Sequence, residues 1–407
     1  MIFLNINKMA KFLYISHDGL LEPLGQSQVL GYLEKLSNSH KIFIISYEKE
    51  KDMLHVDKVN FLKKNLNKKD IHWFPLKYHK KPAVIATLFD IAIGLFFSLY
   101  IALRYHIKIV HARSYTASVI ALVLKKIINM RYIFDMRGFW VDERVDGGMW
   151  KKSDYIFRIS KWFEKSFLVN ADVVVSLTKN AVDEMKMFPY LENRDIKFKV
   201  ITTCTNLQVF KPDLTIKQKQ PFVLGYVGSV GVWYMFDEAL YCFKLIQEIM
   251  PNARMHIINK GGHDFIYSRL NILGIDLKYV LVEELDRDGV VESMRVMNAG
   301  IFFYRHAYSK KATAPTKLGE FLASGIPCLT NKGVGDTSEI LEKTKCGIVL
   351  SNFSKEEMER GVILLLSLTE DSCILDRCRS AALDYFSLDD GVKSYNEIYE
   401  TLGRDKD

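Results

Sequence analysis

Proline is scarce in this chain, with nine residues in 407, and no low-complexity tract interrupts it. Composition therefore excludes a long disordered region, and with 49% hydrophobic residues both halves can bury cores. Cysteine is equally sparse. All six cysteines (Cys204, Cys242, Cys328, Cys346, Cys373 and Cys378) fall in the second half, and no two stand in C-x-x-C spacing. That excludes a disulfide framework or a zinc ribbon and fits a reduced, cytosolic compartment. The opening MIFLNINKMAKFLYIS has no charged leader and no small-residue cleavage site, and it runs straight into a strand. It is not read as a secretory signal, and Met9 is a candidate start. A Walker loop, a G-x-S-x-G elbow, a His-Cys-Cys spacing and any metal-binding cluster are also missing.

What is present begins with charge. The net charge is +8 and is unevenly placed. Lys58, Lys63, Lys64, Lys68, Lys69, Lys77, Lys80 and Lys81 crowd one stretch, with Trp73, Phe74 and Tyr78 among them. A solvated helix face and a patch for anionic lipid headgroups both fit this pattern. Nucleic acid is not an expected partner, because no recognition motif accompanies the lysines. The apolar run Ala83–Leu103 follows, and its length of about twenty residues would span a bilayer. However, Asp90 sits inside it, and the run lies between two strands of one sheet. A buried or interface-lying helix is expected rather than a span.

Short apolar strands alternate with helical stretches. The first half offers strands at Lys11–Ser16, Lys41–Ser46, Ile71–Leu76, Ile107–His111, Arg131–Asp135, Ala171–Leu177 and Phe198–Ile201. After the polar stretch Lys211–Pro221 the same grammar restarts, with strands at Pro221–Val227, Arg254–Ile258, Tyr279–Val282, Gly300–Tyr304, Pro327–Thr330 and Gly347–Leu350, and a last helix covers about Asp389–Leu402. The fold class is α/β, with two Rossmann-like domains facing each other across a cleft. Residues 1–210 form the first domain, 211–385 the second and 386–407 a C-terminal helix.

Four segments carry candidate chemistry. In Ser309–Pro327, Lys317 opens a helix and Glu320 lies one turn on, with Leu318 between them. A helix N-terminus with a lysine suits a diphosphate, and a carboxylate one turn deeper suits the hydroxyls of a ribose. An i, i+3 surface salt bridge is the plainer alternative. In Leu224–Met235 a strand ends before Gly228 and Ser229, and Gly228 and Gly231 allow a tight turn close to a ligand. In Ser16–Gln28, His17 and Asp18 stand at the carboxyl end of a strand, and Gly25 and Gln26 lie in the loop that follows. Local capping of that loop fits equally well. In Phe134–Gly148, Asp135 and Arg137 lie nearest a strand end, with Phe139 and Trp140 beside them. That loop suits an acceptor sugar or a general base. Asp135 and Asp18 are the candidate catalytic residues, and Gln26 and Arg137 the candidate acceptor-binding ones. His111 reads as a core histidine.

The run P-T-K-L-G-E-F-L-A-S-G-I-P resembles the donor-site helix of GT-B glycosyltransferases, specifically retaining family 4. D-G-L-L-E-P-L-G-Q-S-Q-V-L, H-A-R-S-Y, F-D-M-R-G-F-W-V-D-E-R and G-V-G-D at 333–336 resemble its bacterial surface-polysaccharide branch. The resemblance implies a nucleoside-diphosphate sugar as co-substrate, with no cofactor and no metal. It also implies a saccharide acceptor, lipid-linked, at the cytoplasmic face of an anionic inner membrane. Lys317 would bind the diphosphate, Glu320 the ribose, the Gly228–Ser229 turn the phosphates, and the Gly25 loop the transferred sugar. Two departures stand out. The family has a glutamate eight residues before the one matched by Glu320, and here that position is Ala312. The family also places Arg and Lys after the glycine turn, where this chain has Ser229 and Val230. More of the diphosphate charge then falls to Lys317, helped by Lys310, Lys311 or Arg305. An epimerase-like two-Rossmann enzyme and a non-catalytic, membrane-bound partner of a transferase are the alternatives.

Overall fold

The computed structural model describes residues 9–213 and 220–404. The candidate start region before Met9, and residues 214–219 of the expected linker, lie outside the described residues. The chain divides into two compact units. One holds residues 9–145, Trp150–Ile201 and 388–404, and the other holds Asp146–Met149 and Thr202–Ser387.

The first unit is built on β1 (Lys11–Ser16), β2 (Lys41–Glu48), β3 (Ile71–Lys77), β4 (Ile109–Arg113), β5 (Arg131–Asp135), β6 (Val173–Ser176) and β7 (Phe198–Val200). They form one sheet in the order β3-β2-β1-β4-β5-β6-β7, and every pair is parallel. In β1 and β4 nearly every side chain is buried. Continuous apolar runs such as FLYI and IVHA are what central parallel strands covered on both faces require. The second unit repeats the plan with β8 (Val223–Val227), β9 (Arg254–Ile258), β10 (Val280–Glu283), β11 (Ala299–Ile301), β12 (Cys328–Asn331) and β13 (Gly347–Leu350). Their order is β10-β9-β8-β11-β12-β13. The α/β class with two parallel sheets is as the sequence implies.

The crossovers decide which helices share a layer. From β1 outward to β3 the chain moves one way across the sheet, and from β3 to β6 it moves the other way. Right-handed connections therefore put the helices after β1 and β2 on one face and those after β3, β4 and β5 on the opposite face. The basic stretch is divided by this rule. Lys58, Lys63, Lys64 and Lys68 ride on the helix Val56–Lys68, across the sheet from the apolar helix, whereas the exposed Lys80 and Lys81 immediately precede that helix.

The apolar run forms one helix, Ala83–Tyr105. It is not a core helix. Phe96, Ile85 and Leu88 are 69%, 66% and 62% exposed, whereas Asp90 is 1% exposed. Asp90 faces inward and accepts from the His79 backbone N–H at 3.0 Å and meets His79 Nδ1 at 2.5 Å. The inner face packs on Tyr47, whose hydroxyl donates to the Asp90 carbonyl at 2.7 Å.

Two local differences from the sequence reading have physical causes. The segment after β1 turns helical at Pro23–Gly25 and continues as a π-helical stretch, Gln26–Leu30, because Pro23 pre-sets the first helical position. β11 stops at Ile301 and does not run on to Tyr304. Phe302 and Phe303 instead bury their rings, and Tyr304 pairs antiparallel with Tyr234.

Candidate functional site

In the second unit β8 ends at Val227, and Gly228 takes φ +121°, a conformation that side chains with a Cβ rarely adopt. Its N–H donates to Ile258 O at 2.9 Å and its carbonyl accepts from Asn259 Nδ2 at 2.9 Å. The turn is thus fixed to the end of β9. A Cβ at position 228 would lie 2.8 Å from Lys317 Nζ, so glycine lets this lysine reach the turn. Ser229 is exposed, and its carbonyl accepts from the Tyr226 hydroxyl at 2.8 Å.

Lys317 opens the helix Thr316–Ala323 and is 7% exposed. Its Nζ has no hydrogen-bond partner. It is surrounded by rings, with centroids at 4.6 Å for Tyr234, 5.5 Å for Tyr226, 5.7 Å for Phe302 and 5.9 Å for Tyr304. Burial lowers its pKa to about 7 against the opposing pull of Glu320. Burial likewise raises Glu320 to about 7, with Arg287 and then Lys317 pulling it down. A surface salt bridge is therefore the wrong description of this pair. A buried ammonium without a hydrogen-bond partner, at a helix N-terminus beside a positive-φ glycine, has the chemistry to seat an anion. Leu318 buries its side chain in the core with Phe321 and Leu322, so only its backbone can face a ligand. Ala312 is buried at the end of the 3-10 turn Tyr308–Ala312. Lys310, in the same turn, is 4% exposed, and its Nζ lies 3.9 Å from the Trp233 ring centroid.

In the first unit the carboxyl ends of β1, β4 and β5 bring a polar cluster together. Asp135, the last residue of β5, is 1% exposed. Its Oδ2 accepts from the Tyr395 hydroxyl at 3.2 Å and lies 3.5 Å from His111 Nε2 and 3.9 Å from Arg113 Nη1. Its Oδ1 is 3.8 Å from Arg137 Nη1. Burial alone would raise the Asp135 pKa, but Arg137, then His111 and Arg113, outweigh burial and hold the carboxyl below its usual range. Asp135 thus stays ionised. Arg137 adopts φ +60°, in the left-handed region that few residues other than glycine occupy. Asp18 is reached by Arg113 Nε at 3.4 Å, so the cluster joins both candidate carboxylates.

Gly25 and Gln26 are both bound into the loop. A Cβ on Gly25 would fall 2.1 Å from Gly19 O, so glycine is required there for close packing of the loop on itself. Gln26 Nε2 donates to Leu20 O at 2.7 Å. The loop is also clamped by buried Glu48, which accepts from Leu20 N at 2.7 Å and Leu21 N at 3.1 Å.

Sequence reading passed over several of these groups. Arg113 stands inside the H-A-R-S-Y stretch, so a signal for it existed. His111, read as a core histidine, is buried as expected, and its Nδ1 meets the Tyr399 hydroxyl at 2.6 Å. Tyr395 and Tyr399 are one turn apart on the helix Leu388–Arg404, and nothing in the local sequence singles them out.

No protein-family model matches the chain, and no curated protein matches it in sequence. Solved structures do match over nearly the whole length. Sucrose-phosphate synthase from Thermosynechococcus elongatus superimposes with a TM-score of 0.75 at 11% identity, covering 97% of this chain and 99% of that one. A glycosyltransferase from Rickettsia africae gives 0.70 at 15% identity, covering 98% and 100%. HepE from Anabaena, solved in complex with UDP and glucose, gives 0.68 at 13% identity, covering 97% and 100%. At these identities the likeness is one of fold, and the fold of this chain is GT-B.

Proposed function

We propose that the chain is a glycosyltransferase that moves a sugar from a nucleoside-diphosphate donor to a hydroxyl of a lipid-linked saccharide, with retention. It would act in surface-polysaccharide assembly, as a member of family 4. The observation that carries this reading is the buried Lys317 ammonium, without a hydrogen-bond partner, between the Gly228 turn and Glu320. When the anomeric carbon parts from the diphosphate, negative charge grows on the leaving oxygen. A fixed cation in a water-poor site stabilises that charge more than water does. Lys317 takes the diphosphate, Glu320 the ribose hydroxyls, and the Gly228–Ser229 turn approaches the phosphates. No metal is required in this scheme. On the acceptor side Asp135, Asp18, Arg137 and Gln26 orient the incoming hydroxyl, and the leaving phosphate takes its proton.

The membrane reading is supported by the helix Ala83–Tyr105. Its outer face presents Ile85, Leu88, Phe96 and Tyr100, with Lys80 and Lys81 ahead of it and Arg104 at its end. A bilayer surface would cover these apolar side chains and attract the flanking cations. In the same helical layer, the helix Tyr155–Asn170 exposes Tyr155, Ile159 and Trp162 beside Arg158 and Lys165. We place the protein on the cytoplasmic face of the membrane by this layer, and not by the lysines of Val56–Lys68.

The test is turnover. Purified protein is incubated with UDP-glucose, UDP-galactose or GDP-mannose and a lipid-linked saccharide extract, with and without EDTA. Release of nucleoside diphosphate with a labelled lipid product, unaffected by EDTA and absent in Lys317→Ala/Glu320→Ala, supports the reading. Proton NMR of the product's anomeric signal decides retention. A protein that binds vesicles and a partner transferase but no nucleotide would be the non-catalytic alternative, which Ala312 favours.

A further inference from the structure

The glycine turn of this chain carries no cation of its own, since Ser229, Val230, Gly231 and Val232 are all neutral. Two buried lysines from elsewhere in the second unit reach the turn, Lys317 at Gly228 and Lys310 at the Trp233 ring. We infer that Trp233 and Tyr234, the two residues that close this turn, are positioning residues that hold Lys310 and Lys317 for the donor diphosphate. The inference rests on the donor-site reading above.

The geometry is direct. Trp233 puts its ring centroid 3.9 Å from Lys310 Nζ, and Tyr234 puts its own 4.6 Å from Lys317 Nζ. Tyr234 is the nearest of the four rings around Lys317 and the only one supplied by the turn; Tyr226, Phe302 and Tyr304 come from β8 and the segment after β11. The turn is tied to that segment. Arg305 N donates to Trp233 O at 2.9 Å, Met235 N donates to Phe303 O at 3.1 Å, and the Tyr234 and Tyr304 rings lie 4.9 Å apart. Gly228, whose Cα side meets Lys317 Nζ, belongs to the same connection. One backbone piece thus sets both the glycine that approaches the phosphates and the rings that hold the cations.

The chemistry explains why rings serve here. A buried ammonium needs compensation. A carboxylate would give it but would also cancel the charge intended for the ligand. An aromatic face attracts the cation through its quadrupole and carries no net charge, so the positive charge of Lys317, whose Nζ has no hydrogen-bond partner, remains available to a diphosphate.

The test uses the whole chain and compares UDP with uridine by calorimetry, because only the former carries the groups the lysines would meet. Tyr234→Leu and Trp233→Leu are each expected to weaken UDP binding about tenfold, the effect of losing one desolvated cation–π contact. Uridine binding should change less than about twofold. Tyr234→Phe, which keeps the ring, should restore UDP binding. Equal losses for UDP and uridine would show that the rings merely shape the turn, and no loss for either would show that the lysines need no holding; each outcome overturns the inference. If a leucine variant does not fold, mono- to pentafluorinated phenylalanine at position 234 decides the matter, since fluorination weakens the ring quadrupole at nearly constant size. UDP affinity should then fall stepwise, and a flat series would refute the role. If the wild-type chain bound no UDP, GDP or ADP, the donor-site reading itself would fail, which is distinct from a wild type that binds and a Tyr234 series that is flat.

Discussion

Replacing Lys317 by methionine should make the protein more stable while removing its nucleotide binding. The side chain is 7% exposed and its pKa falls to about 7 from an ordinary 10.5. Each tenfold change in protonation is worth about 1.4 kcal/mol, so keeping this ammonium charged in the folded protein at or below pH 7 costs about 4–5 kcal/mol. Methionine has a similar shape, lacks the charge and packs well against aromatic rings. The sign with pH follows. Between about pH 7 and pH 10 the unfolded chain holds a proton on Lys317 that the folded chain does not, so wild-type stability rises with pH across that window. Glu320 acts below it. Its pKa is raised from 4.5 to about 7, so its contribution is full below about pH 4.5 and is lost as pH climbs to about 7. Wild type should therefore be least stable near pH 7, and Lys317→Met should lack the rise above it. Denaturant unfolding at pH 6, 7, 8.5 and 10 measures this. We expect the variant to gain about 3 kcal/mol or more at pH 7, with the gain nearly gone at pH 10. A variant less stable than wild type at pH 7, or a wild-type curve flat from pH 7 to 10, would refute the reasoning.

Three further predictions concern other parts of the account. Gly228→Ala, placed at φ +121° and 2.8 Å from Lys317 Nζ, should cost about 1–2 kcal/mol of stability and weaken UDP binding about tenfold by calorimetry. Asp135→Asn leaves Arg113 and Arg137 without their shared carboxylate. It should lower stability by about 3 kcal/mol and abolish sugar transfer in a radiolabel assay while UDP affinity stays at the wild-type value. Leu88→Glu/Phe96→Glu puts two charges on the exposed face of the helix Ala83–Tyr105. Flotation with phosphatidylglycerol vesicles should be lost, with unchanged UDP binding.

Much of the frame could be read from the chain before its structure. β1, β5, β9 and β13 begin and end where their apolar runs do, because a parallel strand covered on both faces must be apolar throughout. Lys317 and Glu320 were legible because a lysine at a helix start with a carboxylate one turn on is a local pattern. What stayed hidden needed the third dimension. The rings of Tyr226, Tyr234, Phe302 and Tyr304 come from three segments and meet only around Lys317 Nζ. Arg113 joins Asp18 to Asp135 only because β1 and β5 both neighbour β4. The lysines of Val56–Lys68 and the helix Ala83–Tyr105 are near in sequence, yet crossover handedness sets them on opposite faces. Tyr304 reads as a continuation of β11, but it leaves the sheet to pair with Tyr234.

The central claim is that Lys317 and Glu320 hold a nucleoside diphosphate. Its most direct test is calorimetric titration of UDP, GDP, ADP and CMP into the wild-type chain and into Lys317→Ala/Glu320→Ala. The account predicts saturable one-to-one binding of one diphosphate by the wild type and none by the double variant. Equal binding by both proteins, or binding by neither, would contradict it.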